Sequence, residues 1–159
     1  MTSMTRRRGL AALLSLSLFA AGCASLRAAS ARHEYIESQT KEYVYTQPLT
    51  TVWPQARQML FTEGFEVKDT DASNAETEWK ESGKERRRYL LSGIAVDDKS
   101  CRVQFTRAEE QKTKDGKWES LDTDRDLGME YKLIQKVDPD RAHGIEAEAD
   151  AQGEKAKKG

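Results

Sequence analysis

From Gly64 to Leu121 the apolar residues of this chain recur at every second position, whereas just before Gly64 they recur at helical spacing. That change of period limits the fold to a helix followed by antiparallel strands. Val52, Ala56, Met59 and Leu60 share one side of a helix from Thr51 to Glu63, flanked by Trp53. Gly64 supplies a residue that can take the left-handed conformation just past a helix end. Thr50 or Thr51 can cap the helix, and Pro54 belongs to its opening turn, where backbone N–H groups have no intrahelical partner. This Met, Trp and Leu stripe suits core packing, with a pocket lining as its other reading.

The strands follow from alternation. Glu42 to Gln47 sets Tyr43 and Tyr45 against Val44 and predicts a first strand, ended by Pro48. Phe65 and Val67 open another, Asp71 to Asn74 turn it, and Glu76 to Glu81 carries Thr77 and Trp79 on one face. Ser82-Gly83-Lys84 turns again. Arg86 to Val96 is the long strand, with Leu90, Ile94 and Val96 in register and Gly93 a candidate bulge. Asp97-Asp98-Lys99 leads into Ser100 to Ala108. Asp115-Gly116 predicts a type I′ hairpin into a short strand with Trp118 and Leu121.

Asp122, Asp124 and Asp126 invite a calcium loop, but the sixth and twelfth positions counted from Asp122 are Leu127 and Leu133, where an EF-hand needs Gly and Glu. As caps and dipole partners the acids suit a helix with Leu127, Met129, Tyr131, Leu133, Ile134 and Val137. Asp138-Pro139 ends that helix and starts another through Ala142, Ile145 and Ala149. The expected class is α+β: a small antiparallel β-meander packed on one main helix, with a C-terminal helix or helix pair and a disordered tail.

At the other end, Arg6-Arg7-Arg8 precedes 12 residues from Leu10 through Ala21, and Ala20-Ala21-Gly22-Cys23 follows with small residues and a cysteine. A helical span of a bilayer takes roughly 20 apolar residues, so the run suits a signal segment. The pattern resembles the bacterial lipobox, in which a diacylglycerol thioether forms on the cysteine and the chain is cut before it. An ordinary secretory signal that leaves Cys23 a free thiol is the other reading. What the lipobox resemblance implies is lipid on Cys23 as the membrane attachment. Ala24 and Ser25 follow, and in a cell with two membranes the absence of Asp second after the cut resembles lipoproteins sorted to the outer membrane, facing the periplasm.

The expected organisation is then a signal peptide over 1–22, a lipidated end and flexible tether over 23–41, an α+β domain over 42–138, a terminal helix over 139–151 and a disordered tail over 152–159. Removing 1–22 leaves 137 residues and shifts the formal charge from −1 to −4, which gives no electrostatic case for nucleic acid. With Cys23 consumed, Cys101 has no partner for a disulfide. Its alternation with Val103 and Phe105 turns it toward a core, while a reactive thiol is the functional reading.

No catalytic, cofactor or metal residues are expected. His33 and His143 are the only histidines, and neither is spaced with a second ligand. There is no phosphate-binding Gly-rich loop and no nucleophile elbow. Lys84-Glu85-Arg86-Arg87-Arg88 reads as a solvated hairpin flank or as a contact for anionic head groups or an acidic partner.

The order from Tyr43 to Phe105, with Pro48-Leu49, Trp53, Leu60, Gly64-Phe65, Val67 and a Trp79-bearing hairpin, resembles the helix-grip domains of outer-membrane lipoproteins. Among these it is similar to the lipoprotein component C of the β-barrel assembly machinery. The resemblance implies a non-enzymatic envelope domain that works by contact with another envelope protein. A cell-wall (peptidoglycan) or small-ligand binding lipoprotein is the alternative.

Overall fold

The computed structural model describes Gly9–Lys158, with side chains from Ala24 onward; the side chain of Cys23, and with it the expected lipid attachment, lies outside the described residues. Along the chain run α1 (Gly9–Lys41), α2 (Leu49–Thr62), β1 (Val67–Asp69), β2 (Asn74–Thr77), β3 (Lys80–Ser82), β4 (Glu85–Asp97), β5 (Ser100–Lys112), β6 (Trp118–Arg125), α3 (Leu127–Val137) and α4 (Pro139–Lys158). The fold is α+β. Among the described residues no helix is long and apolar enough to cross a membrane. Two compact units emerge: Glu37–His143, and the residues up to Ile36 together with those from Gly144.

Glu37–His143 holds the sheet, in the order β1-β2-β4-β5-β6 with every neighbour antiparallel, and β3 pairs with the start of β4. Alternation sends Tyr89 and Leu91 of β4 and Cys101, Val103 and Phe105 of β5 to one face. Val52, Trp53, Ala56 and Leu60 of α2 and Met129, Leu133 and Ile134 of α3 close over them. Each Val, Leu, Ile, Phe or Met side chain among them taken from water contributes roughly 1.5–3 kcal/mol.

The end of α2 forms as its residues require. Gly64 has φ +80°, its N–H donates to the Phe61 carbonyl at 2.9 Å, and the Phe65 N–H donates to the Leu60 carbonyl at 3.0 Å. Leu60 and Phe65, both buried, meet beneath this Schellman turn. The start differs from expectation. The helix begins at Leu49, no side chain caps it, and the Pro48 carbonyl accepts from Thr51 and Val52. Pro54 therefore falls inside the helix and leaves the Thr50 carbonyl without its i+4 donor; both residues are exposed, where water can bond instead.

Several strand details also differ. Glu42 to Gln47 is not a strand; Tyr45 alone bridges to Cys101, donating at 2.8 Å and accepting at 3.1 Å, and its ring meets Tyr43 edge-on. Glu76 to Glu81 is broken, with Thr77 in the core and Trp79 beside Arg86 and Arg88 on the opposite face. Gly93 is not bulged: it pairs with Val103, and the register shifts later, between Ala95 and Asp97. A Cβ at Gly93 would lie 2.7 Å from a Leu49 methyl and 3.1 Å from the Trp53 ring, so the glycine lets α2 rest on β4. The hairpin after β5 has a three-residue loop rather than two. The Gly116 N–H donates to the Thr113 carbonyl at 3.0 Å, Thr113 and Lys117 close the ladder at 2.8 Å, and Gly116 takes φ +81°.

In the second unit, the α1 residues from Ala24 pair with the later part of α4 in antiparallel order. Arg32 Nε donates to Asp150 Oδ1 at 2.7 Å, the Tyr35 hydroxyl donates to Glu148, and Ala28 lies against Gly153. Ala28, Ile145, Ala149 and Gly153 are buried. The expected tether over 23–41 and the expected disordered tail over 152–159 are thus helical wherever described. Alanine and long charged side chains favour the helix by propensity, and an alanine and glycine seam lets two backbones approach without a stripe of large apolar residues.

Candidate functional site

The outer face of the sheet, opposite α2 and α3, carries the most distinctive side-chain arrangement. On β4 the alternate residues Arg86, Arg88, Leu90, Ile94 and Val96 point outward. The last three are 38%, 46% and 53% exposed. They keep the common register read from the sequence but lie outside the core, because both parities of β4 are apolar and Gly93 decides which one α2 covers.

Beside them runs an alternating stack of cations and indoles. The Arg86 guanidinium lies 4.6 Å from the Trp79 ring centre and 4.4 Å from that of Trp118. Arg88 covers Trp79 at 4.9 Å, and Lys112 covers Trp118 at 5.3 Å. Strand register sets this ladder: Arg86 pairs with Glu110, and Lys112 pairs with Trp118. Arg86 Nη2 and Nε reach Glu110 Oε2 at 2.5 and 2.7 Å, which fixes the guanidinium plane between the rings. Arg88 reaches Glu76 at 3.7 Å, and its Nε is buried with no hydrogen-bond partner.

On the core side of the same hairpin, Lys80 of β3 faces Arg87 of β4. Both lie over the buried Phe65 ring, at 5.1 and 5.7 Å. Next to them is an open cavity of about 280 Å³ lined by Lys80, Ser82, Glu85, Arg86, Arg87, Glu109 and Leu121. The basic run Lys84 to Arg88 is therefore divided by the pleat between two faces.

The other residues singled out by sequence are placed apart from this region. Cys101 is fully buried in the core, and burial pushes its thiol pKa up, away from thiolate chemistry. His33 and His143 are exposed, on α1 and α4 respectively. Asp122 and Asp124 belong to β6, which runs on to Arg125; only Asp126 caps α3, accepting from the Met129 N–H at 3.0 Å. Among the described residues no group of three or more His, Cys, Asp or Glu could hold a metal ion.

One buried polar group had no signal in the sequence. Glu130 lies on the inner side of α3, only 2% exposed, and accepts from Arg125 Nε at 2.8 Å, Arg125 Nη2 at 2.7 Å and the Phe105 N–H at 3.1 Å. Burial pushes its carboxyl pKa up, while these donors pull it back. It clips the end of β6 and the middle of β5 to α3. Comparison of the chain with protein-family models, with curated proteins and with solved structures found no match.

Proposed function

We propose that this chain is a lipoprotein of the bacterial envelope, anchored by lipid on Cys23 to the outer membrane and facing the periplasm, whose Glu37–His143 unit binds another envelope protein without turnover. Arg6 to Cys23 supports the anchor. The observation that carries the binding role is the outer sheet face, where exposed Leu90, Ile94 and Val96 adjoin the Trp79–Arg86–Trp118 stack. Tryptophan and arginine are the side chains most enriched where protein contacts concentrate their energy, and a pre-stacked guanidinium loses little freedom on binding.

Crosslinking of the anchored protein in cells, followed by purification, tests the reading. The wild type enriches an envelope protein, and Leu90→Asp with Ile94→Asp loses it while the urea midpoint holds. Equal capture by that double variant, or no enriched envelope protein at all, counts against this face. Intact-mass analysis of the membrane extract tests the anchor: cleavage before Cys23 with added acyl mass is expected, and a soluble, unmodified Cys23 refutes it.

A further inference from the structure

We infer that the pocket between the β3–β4 hairpin and β6 binds the terminal carboxylate of a peptide from the protein partner, held by Lys80 and Arg87, with Leu121 packing on the last side chain. This rests on the protein-binding reading above and adds the chemistry of what is bound. Lys80 and Arg87 are directly opposite in antiparallel register, a placement that is destabilising for like charges left alone. Neither forms an ion pair with any described residue. Glu109, the neighbour of Arg87 across β5, is engaged by Arg107 at 3.1 Å. Lys80 donates to the Glu63 carbonyl at 2.7 Å, which fixes its ammonium and leaves two further protons to donate. The Phe65 ring shields both cations from one side, strengthening what they offer on the other.

A second, independent feature points into the same space. Glu109 pairs with Asp122 and Glu110 with Ser120, so Leu121 is the extra residue of a bulge in β6. Bulges re-aim side chains, and here the leucine is 55% exposed and lines the pocket. Charge selects the ligand. The Arg86 guanidinium is held on the other face by Glu110 and Glu109 is engaged by Arg107, so the charges left facing the cavity are those of Lys80, Arg87 and Glu85, a net +1, which matches one carboxylate better than a phosphate dianion. At about 280 Å³ the space suits a chain end.

The test uses the full anchored chain in detergent and a labelled acetyl-Ala-Ala-Leu peptide, as the free acid and as the carboxamide, read by fluorescence anisotropy. The acid binds saturably and the amide at least about tenfold more weakly, the scale of one charged hydrogen bond. Lys80→Gln and Arg87→Gln each weaken the acid about tenfold; Arg87→Gln leaves the melting temperature unchanged or raised, because it relieves a repulsion, while Lys80→Gln also gives up the bond to the Glu63 carbonyl and lowers it slightly. Equal binding of acid and amide overturns the inference, as does wild-type binding by a chain carrying both Lys80→Gln and Arg87→Gln. Displacement by equimolar inorganic phosphate, or tighter binding of a peptide ending in two D-alanines, overturns a protein chain end as the ligand. The two proposals fail separately. If the chain carrying both Lys80→Gln and Arg87→Gln still captures the crosslinked partner, the partner reading stands and the pocket falls; if the peptide binds and no partner is captured, the pocket stands and the partner reading falls.

Discussion

Glu130 keeps a carboxylate almost wholly out of water, and its folded pKa is raised above the ordinary 4.5, with burial the largest cause. The folded chain then holds this proton at pH values where the unfolded chain has released it. Its contribution to stability is complete below about pH 4.5 and falls as pH rises through the folded value. Glu130→Gln removes that slope and costs about 1–3 kcal/mol at pH 7 by breaking the bonds to Arg125; urea unfolding at a series of pH values reads both. An unchanged slope would assign it to other groups. At the alkaline end, the Tyr89 hydroxyl donates to Asp126 at 2.9 Å, and burial followed by that bond raises its pKa from 10.0 to about 12. Stability therefore falls further between those values, and ultraviolet titration should show one tyrosine ionising near pH 12 that is lost in Tyr89→Phe. Cys101 was legible as a core residue because alternation alone decides which way a strand side chain points. Glu130 was not, since an acid on an apolar helix face becomes tolerable only when Arg125 and the Phe105 amide arrive from β6 and β5.

Gly93 is the position where α2 and β4 meet most tightly. Gly93→Ala forces a methyl against Leu49 and Trp53 and should cost about 1–3 kcal/mol by overpacking, measured as a lower urea midpoint with an unchanged slope. A bulge at that residue would have tolerated the methyl. The same glycine explains why the helix and the sheet could be read from periodicity while the outward face of β4 could not. Tyr89 and Leu91 compete with Leu90 and Ile94 for the core, and local pattern cannot rank them. Trp79 was misassigned for a related reason: the chain breaks between β2 and β3, so the parity counted from Thr77 no longer applies. The stack with Arg86 depends on that break and on Trp118 arriving from β6, both tertiary facts.

The boundary between the two units falls inside α4, after His143. A cut at Pro139 would remove Ala142, which is 1% exposed and part of the sheet unit's core. A chain ending at His143 should keep the cooperative urea transition of Glu37–His143 and lose helical circular dichroism from both α4 and the α1 residues it paired. Loss of the transition would make the sheet unit dependent on the helical one. Sequence alone suggested a leash over Ala24 to Lys41 because its seam is alanine, which carries little hydrophobic contrast. As a helix these residues span about 27 Å at 1.5 Å per residue, where an extended leash reaches about 60 Å. Antiparallel pairing also sets Ser25 and Lys157 around one shallow cleft. A segment whose two ends lie together tolerates being joined there and opened elsewhere. A circular permutant linking residue 158 to residue 24 through a short glycine linker, with new ends in the exposed loop Lys114–Gly116, should fold with the same sheet register, which amide exchange across β4 and β5 would report.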